Sequence, residues 1–377
     1  MTTIKDKLSP LFEAVDTFIR TPGATAPSAP YVRDHVDLKR VMVIVVIALF
    51  PCLFMGIYNV GYQVLQFQNL PTTFSGCMGI GANVVLPIML VTYLFGGFWE
   101  VLFAVVRRKR ISEGFLVTGM LFTLAMPPAI ELWQVAVGIS FGVIFGKEIF
   151  GGTGRNIFNP ALTGRAFMFF SYPIQFSGSD SYAAIDGFTQ ATPLSILGDA
   201  GYGGQAVEAL HQAGYSWSQA FIGLIPGSIG ETSTLACLLG LFLLLITRVA
   251  SWRIVLACFL GFTGASLAVM ALQRPESMTY FSLPPHWHWV IGSFAYGCIF
   301  MTTDPVSSPA TNTGRWIYGI TIGTVIVLIR VFNPAFTDGV LLSIIFMNAF
   351  SPLIDHFVVQ QHIKQRTQRN LACAAAK

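Results

Sequence analysis

The chain has 377 residues, of which 54% are hydrophobic and only 11% are charged. Because an ordinary soluble domain is about 25% charged, this composition excludes a soluble globular enzyme and a disordered protein, and it predicts an all-α integral membrane protein. The net charge of +4 is too small to indicate nucleic-acid binding. The six cysteines show no metal-ligand spacing, so we expect no tightly bound metal.

The apolar pattern along the chain predicts about ten transmembrane helices. Residues 1–40 are polar, we expect no signal peptide in them, and their apolar residues at helical spacing predict a short amphipathic helix between Leu8 and Ile19. The third, fifth and eighth apolar segments are short or interrupted by proline, so we expect broken or re-entrant helices there. The ten segments lie near residues 41–60, 83–106, 113–127, 131–150, 160–175, 232–248, 252–272, 287–303, 315–332 and 338–358.

The basic residues test this layout. They cluster before the first segment, after the second, between the sixth and seventh, and after the last, and all these places fall on one side if ten spans alternate. By the positive-inside rule, the N-terminal segment 1–40 and the basic tail 359–377 are cytoplasmic. The loop 176–231 contains no Lys or Arg and is predicted to be external.

A recurring motif predicts two membrane repeats, residues 41–175 and 232–358. Residues 158–161 read FNPA, and so do residues 332–335. Each half holds five spans, and an odd number forces the halves into opposite orientations, which is the inverted-repeat plan of many transporters. Asn is a good helix cap and Pro suits the first helical turn, so both motifs fit interrupted helices that face a cavity. The alternative is that both motifs merely end loops.

The external loop carries the sequence DGFTQATPLS at residues 186–195. From the residues alone, this is a turn with exposed hydroxyls, followed by a helix start at Thr192-Pro193. The segment resembles the D-G-x-[ST]-G-A-T flavin-attachment motif of the NqrB/RnfD family, whose members belong to the Na+-translocating NADH:quinone reductases (Na+-NQR) and to the Rnf complexes. The resemblance also covers residues 11–23, 32–40, 151–167, 226–235, 301–307 and 330–335, and its N-terminal part favours the NqrB branch.

The resemblance implies a covalently bound flavin in this loop. A flavin transferase would join FMN to Thr192 through a phosphoester, which places the acceptor hydroxyl outside the cytoplasm. Gln190 stands where the family usually has glycine. The other matched positions of the motif are Asp186, Gly187, Thr189 and Ala191.

Asn156 and Asn159 are a second pair of candidate flavin contacts. Their spacing points polar groups toward one cavity, and helix capping is the alternative. In the family that the chain resembles, the matching asparagines lie beside a non-covalent riboflavin, so the resemblance implies that both contact this second flavin. Amides suit a flavin because its pyrimidine ring presents donors and acceptors.

Gly96, Gly97 and Glu100 end an apolar segment beside a basic block. The simplest interpretation is a helix-packing notch with an interfacial Glu. In the family, the matching glycines are associated with quinone binding, so the resemblance implies a ubiquinone site there. Glycine would permit the close backbone approach that a flat quinone needs.

Acidic residues in apolar segments are costly and suggest function, and carboxylate oxygens suit a hard cation such as Na+. The candidates for a Na+ pathway are Glu100, Glu148, Asp304 and Asp355. The alternatives are an ion pair for Glu148, a helix cap for Asp304 and an interfacial position for any of the four. The HWHW sequence at 286–289 suggests a metal site at first, but an i, i+2 His pair shares no helix face, so we interpret it as an aromatic belt at the outer interface.

Taken as a whole, the resemblance implies a flavoprotein of the bacterial inner membrane with both termini cytoplasmic and the loop 176–231 in the periplasm. Its implied partners are the other five subunits of a Na+-NQR complex (A, C, D, E and F), the flavin transferase, ubiquinone and membrane lipid. No GxGxxG motif follows a strand, so NADH oxidation would occur on another polypeptide of the complex. Two rivals stay open: an RnfD-like flavoprotein, and a channel or secondary transporter without a redox role.

Overall fold

The computed structural model describes residues 38–107, 111, 114–173, 176, 191–333 and 339–375. Within those ranges every regular element is helical, and Tyr202 and Met278 form an isolated antiparallel bridge. The amphipathic helix expected near residues 8–19 and the motif positions 186–190 lie outside the described residues. The all-α architecture predicted from composition is therefore confirmed for the part of the chain that the structure describes.

Five helices build the first half of the membrane part. α1 and α2 have 30 and 34 residues, well above the roughly 20 that a bilayer crossing needs, whereas α3 and α5 have only 11 and 12. α4 continues directly into a π-helical turn at Ile144–Glu148. The five helices are α1 (Leu38–Phe67), α2 (Phe74–Arg107), α3 (Gly114–Leu124), α4 (Leu132–Val143) and α5 (Pro160–Ser171).

The second half contains α9, α10, a broken segment, α13 and α14. The broken segment consists of α11, the three-residue α12 and a π-helical turn at Gly297–Met301. Its two short helices are separated by Gly292, whose φ of +71° is favourable only for glycine. The bounds are α9 (Thr234–Ile246), α10 (Trp252–Ala271), α11 (Pro285–Val290), α12 (Phe294–Tyr296), α13 (Asn312–Phe332) and α14 (Val340–Ala375).

The described part of the loop 176–231 holds three short helices at one end of the molecule. These are α6 (Pro193–Asp199), α7 (Ala206–Gln212) and α8 (Trp217–Ile222), and they pack on the 3-10 turn Thr279–Ser282 and on α11. α9 leads away from this end to the turn at residues 247–251, and α10 returns to it. The basic turn between α9 and α10 is thus far from the loop, as the charge pattern predicts.

The structure confirms a multi-span membrane protein and corrects several boundaries. Five described helices are long and apolar enough to cross a membrane, namely α1, α2, α10, α13 and α14, and large side chains such as Leu90 and Phe242 are exposed on their outer faces or on α9. The third and fifth segments are short and the eighth is broken, as predicted. α9 is also shorter than predicted, and α14 continues to Ala375, so residues 359–375 extend the last helix instead of forming a separate tail.

The packing of the two halves repeats in part. In each half, the second helix packs on the fourth, the fourth on the fifth, and the first on the third: α2 on α4, α4 on α5 and α1 on α3, against α10 on α13, α13 on α14 and α9 on α12. The halves meet where α1 packs on α9. They differ at the first pair: α1 and α2 cross closely at Gly61 and Gly81, whereas an apolar groove separates α9 from α10.

Candidate functional site

A cavity between the two halves brings together most of the polar candidates. It contains about 710 Å³ of empty space, counting the part open to solvent, and is walled by α1, α3 and the segments 244–250 and 300–306. Its apolar walls and few polar groups are typical of cofactor sites. The polar side chains on its walls are Thr118, Lys147, Thr153, Asn156, Asn159, Thr303 and Asp304.

Asn159 and Asn156 combine capping with access to this cavity. Asn159 is buried and caps α5: its Oδ1 accepts from the backbone nitrogens of Ala161 at 3.0 Å and Leu162 at 3.5 Å. Asn156 is also buried, and its Nδ2 donates to the carbonyl oxygen of Phe158 at 2.9 Å. The capping interpretation is therefore correct for Asn159, and it leaves one amide group of each residue for a ligand.

The unused groups fit a flavin. Among the described residues, neither the Nδ2 of Asn159 nor the Oδ1 of Asn156 has a hydrogen-bond partner, so the pair offers one donor and one acceptor. The Thr153 hydroxyl oxygen is buried and likewise has no partner in the described part of the chain. Buried polar atoms without partners are rare, and a flavin pyrimidine ring supplies both kinds of group.

The loop that carries Asn156 depends on glycine. Gly151, Gly152 and Gly154 have φ values of +113°, +96° and +86°, a conformation that other residues rarely adopt. The sequence GGTGRN therefore turns the chain sharply after the π-helical turn and returns it to the start of α5. Thr153 and Asn156 come to the cavity wall because of this turn.

The π-helical turn places two charged residues inside the protein. Lys147 is 2% exposed, and its Nζ lies 2.8 and 2.9 Å from the two carboxylate oxygens of Glu100 on α2. Glu148 is buried as well, and Arg107 contacts its Oε2 at 2.7 Å. A buried charge is tolerated only when paired, so both acids act structurally here. The ion-pair alternative for Glu148 is supported, although with Arg107 as the partner.

The predicted quinone residues lie at a tightly packed helix crossing. A side chain at Gly96 would meet the Phe115 ring at 2.5 Å and Ile139 at 2.9 Å. Gly97 is less crowded, with Phe115 at 3.6 Å from an added Cβ. A wide apolar groove lined by Phe95, Phe98 and Phe141 opens beside this crossing. The quinone site stays a prediction, and the close packing explains Gly96 without it.

Asp304 and Asp355 make no ion pair with a described residue. The two oxygens of Asp304 accept from the backbone nitrogen of Val306 at 3.1 Å and the Ser307 hydroxyl at 3.0 Å. Those of Asp355 accept from the backbone nitrogens of Ala310 at 2.7 Å and Thr311 at 3.1 Å. Asp355 thereby fixes the start of α13, while Asp304 faces the cavity.

Thr192 lies at the external end, at the start of α6. It is the helix cap: its Oγ1 accepts from the backbone nitrogen of Ser195 at 3.2 Å and donates to the Ser195 hydroxyl at 3.2 Å. Ala191 is held by the Tyr215 hydroxyl at 3.2 Å, and Tyr280 donates to the carbonyl oxygen of Leu194. Burial raises the pKa of Tyr280 above its ordinary value. The Thr192 side chain is half-buried, and the helix start predicted at Thr192-Pro193 is confirmed.

The aromatic-belt interpretation of residues 286–289 is wrong for its two central members. Trp287 and His288 are 3% and 1% exposed, because α11 folds inward beneath the external loop. His288 Nδ1 lies 3.3 Å from a nitrogen of Arg330, which is itself fully buried on α13. Trp217 of the external loop donates to the carbonyl oxygen of His286.

Sequence reasoning missed the buried basic residues. Arg165 on α5 forms a buried ion pair with Glu231, and its other nitrogen lies 3.4 Å from the Ser228 hydroxyl. Lys147 and Arg330 are equally buried. The signal that was available is the isolation of each base within an apolar run, which in a membrane segment indicates an internal partner.

Fold and cavity together define a polytopic α-helical membrane protein with a polar, cofactor-sized cavity between two related halves. The profile of the NQR2, RnfD, RnfE family matches residues 25–364, and the chain belongs to this family.

Its relatives include proteins named as the B-type member (NqrB) of the Na(+)-translocating NADH-quinone reductase. That of Ectopseudomonas mendocina is 49% identical, with 97% of this chain and 95% of the relative aligned. The protein of Azotobacter vinelandii is 49% identical over the same shares. That of Chromohalobacter salexigens is 48% identical over 98% of this chain and 94% of the relative.

Proposed function

We propose that this chain is the flavin-carrying membrane subunit of a Na+-translocating NADH:ubiquinone oxidoreductase. The observation that carries the proposal is the cavity between the halves, where Asn156, Asn159 and Thr153 offer unused polar groups among apolar walls. The similarity to NqrB proteins over nearly the full chain supports the same function. NADH would be oxidised on another polypeptide of the complex.

Riboflavin is the ligand that we assign to the cavity. The Asn159 Nδ2 would donate to a carbonyl oxygen of the pyrimidine ring, and the Asn156 Oδ1 would accept from its ring N–H. The Lys147 cation on the same wall would favour electron density on the bound ring. When bound, a flavin supplies reversible electron transfer, which no amino-acid side chain on these walls provides.

FMN would be held covalently at Thr192 by a phosphoester that the flavin transferase makes. Its phosphate would lie at the start of α6, where the Ser195 N–H already points at the Thr192 oxygen. Backbone N–H groups at a helix start favour an anion. Asp186, Gly187, Thr189 and Ala191 would serve transferase recognition.

The two assigned flavin positions lie on opposite sides of the membrane part. α5 begins at Asn159, ends at Ser171 and spans about 18 Å at 1.5 Å per residue. Electrons would enter at the periplasmic end, cross to the cavity and reach ubiquinone near Gly96, Gly97 and Glu100. The rest of the complex would comprise its other five subunits (A, C, D, E and F) in the bacterial inner membrane, with both termini of this chain cytoplasmic.

Outward Na+ transport would use the energy of these electron steps. Moving one charge against the membrane potential costs about 2.3 kcal/mol per 100 mV. A two-electron couple releases about 1.4 kcal/mol per 30 mV of potential drop. Flavin-to-quinone steps therefore cover the cost. Of the four acidic candidates, Asp304 is the one that faces the cavity without an ion-pair partner among the described residues.

In-gel flavin fluorescence tests the covalent part of this proposal. Wild type, Thr192→Val and Thr192→Ser would each be co-expressed with a flavin transferase and run on a denaturing gel. We expect a fluorescent wild-type band that is absent in Thr192→Val, because valine has the same shape but no acceptor oxygen. Ser195→Ala is the control: it removes the hydroxyl next to Thr192 but keeps the acceptor, so fluorescence should persist.

The two rivals give different results. A colourless, non-fluorescent wild type would contradict a flavin function and favour a channel or secondary transporter. A fluorescent protein whose complex reduces no quinone would favour the RnfD-like flavoprotein.

A further inference from the structure

A buried polar pair lies between α13 and α14, outside the flavin cavity. Tyr318 and Asn348 are both 0% exposed, and the Tyr318 hydroxyl donates to the Asn348 Oδ1 at 2.6 Å. The Asn348 Nδ2 is buried and has no hydrogen-bond partner in the described part of the chain. A fully buried amide with one side unsatisfied is costly unless another molecule completes it.

The orientation of the Asn348 amide does not remove this requirement. The oxygen and nitrogen of an amide are assigned from the hydrogen-bond network. If the amide is turned over, the Nδ2 donates to the Tyr318 oxygen, and the Oδ1 becomes the group without a partner. In one orientation the pair calls for the oxygen of a water molecule, and in the other it calls for a donor or a cation.

Asp304 connects this pair to the cavity. Its carboxylate interacts electrostatically with Tyr318, and it also lies on the cavity wall. The Val306 nitrogen and the Ser307 hydroxyl each occupy one of its oxygens, and each oxygen retains a further lone pair. A charged oxygen and two neutral oxygens thus lie next to a space that is accessible from the cavity.

We propose that Asp304, Tyr318 and Asn348 form a site for a hydrated monovalent cation, which is Na+ if the proposed function is correct. Hard cations prefer oxygen ligands, and all three residues supply them. No group of three or more His, Cys, Asp or Glu residues converges among the described residues, so a single carboxylate must serve. One negative charge with neutral hydroxyl and amide oxygens matches one positive charge, and water bound to Asn348 completes the shell.

The site gives Asn348 and Tyr318 a role that packing alone does not require. They would position the cation and its water beside Asp304, next to the assigned flavin. Removing them should therefore weaken cation binding without releasing the flavin, since neither residue lines the cavity.

The test uses the complete complex in membrane vesicles with Tyr318→Phe and Asn348→Leu. Tyr296→Phe is the matched control, because its hydroxyl is equally buried and donates to the carbonyl oxygen of Leu121 at 3.3 Å. The measurements are the initial rate of quinone reduction against Na+ and Li+ concentration, 22Na+ uptake per electron, and extractable flavin. We expect the Na+ concentration for half-maximal rate to rise several-fold, and the ratio of Na+ to Li+ activity to change, only in the two cluster variants.

An unchanged Na+ dependence in Tyr318→Phe would overturn the proposal, because this variant keeps the shape of the side chain and decides the matter even if Asn348→Leu does not assemble. Loss of flavin together with the altered Na+ dependence would also overturn it, since the residues would then act on the cavity. A wild-type complex that binds flavin but shows no Na+-dependent rate would overturn the proposed function itself.

Discussion

The two assigned flavin positions have the same local structure in different surroundings. In both, a polar cap residue precedes a proline at the first helical turn: Asn159-Pro160 at α5 and Thr192-Pro193 at α6. Asn159 is 3% exposed and lies on a cavity wall, whereas Thr192 is half-buried in the external loop. The buried cap keeps an amide for a ligand, and the external cap keeps a hydroxyl that a modifying enzyme can approach.

This difference explains why one position suits non-covalent binding and the other covalent attachment. A cavity can surround a flavin with apolar walls and orient it by a few hydrogen bonds. A helix of seven residues at the protein surface offers no such enclosure. A covalent bond is then the means by which a flavin stays in place there.

The largest expected effect concerns the clamp that holds α5 and therefore Asn159. Glu231→Leu leaves Arg165 as an unpaired buried charge, which we expect to destabilise the protein by about 3–5 kcal/mol. The thermal unfolding midpoint of the purified complex measures the effect. The double variant Arg165→Met, Glu231→Leu should recover most of the loss, because an apolar pair replaces the ion pair. Equal instability of the single and double variants would contradict this account.

A second variant separates capping from ligand binding at Asn159. Asn159→Ser keeps a good cap oxygen but removes the amide nitrogen, so α5 should stay intact while the cavity loses its donor. We expect flavin affinity to fall about tenfold or more, which corresponds to about 1.4 kcal/mol. Extracted riboflavin per complex measures the loss, and circular dichroism monitors the helix. A normal riboflavin content would remove Asn159 from the site.

The smallest effect concerns the external position. Tyr280→Phe removes the hydrogen bond to the Leu194 carbonyl and should cost about 1 kcal/mol. Because burial raises the pKa of Tyr280 in the folded state, this contribution is complete below the unfolded pKa near 10 and is lost only as pH rises through the higher folded value. The difference between wild type and variant should therefore be constant from about pH 7 to 9.

Tyr202→Phe is the control for that series, since the Tyr202 side chain is 70% exposed and should contribute nothing measurable. A difference between wild type and Tyr280→Phe that fades between about pH 7 and 9 would contradict the assigned direction of the pKa shift.

Sequence patterns predicted the helical architecture, the broken eighth segment and both cap motifs, because these features depend on local residue types. They did not predict the partners of buried charges. Lys147 meets Glu100 only because a π-helical turn rotates it inward, and Arg165 meets Glu231 across 66 positions. Which side of α11 is buried was also missed, because hydropathy does not distinguish lipid from protein interior. Such features depend on tertiary packing and not on local pattern.

The most direct test of the central claim is the riboflavin content of the complex that carries Thr192→Val. Chromatography of the acid extract distinguishes riboflavin from FMN and FAD. If the two positions are separate flavin sites, the variant loses covalent FMN from this chain and keeps riboflavin at the wild-type amount. Loss of riboflavin together with the covalent FMN, or its absence from wild type, would contradict the assignment of a second flavin to the cavity at Asn156 and Asn159.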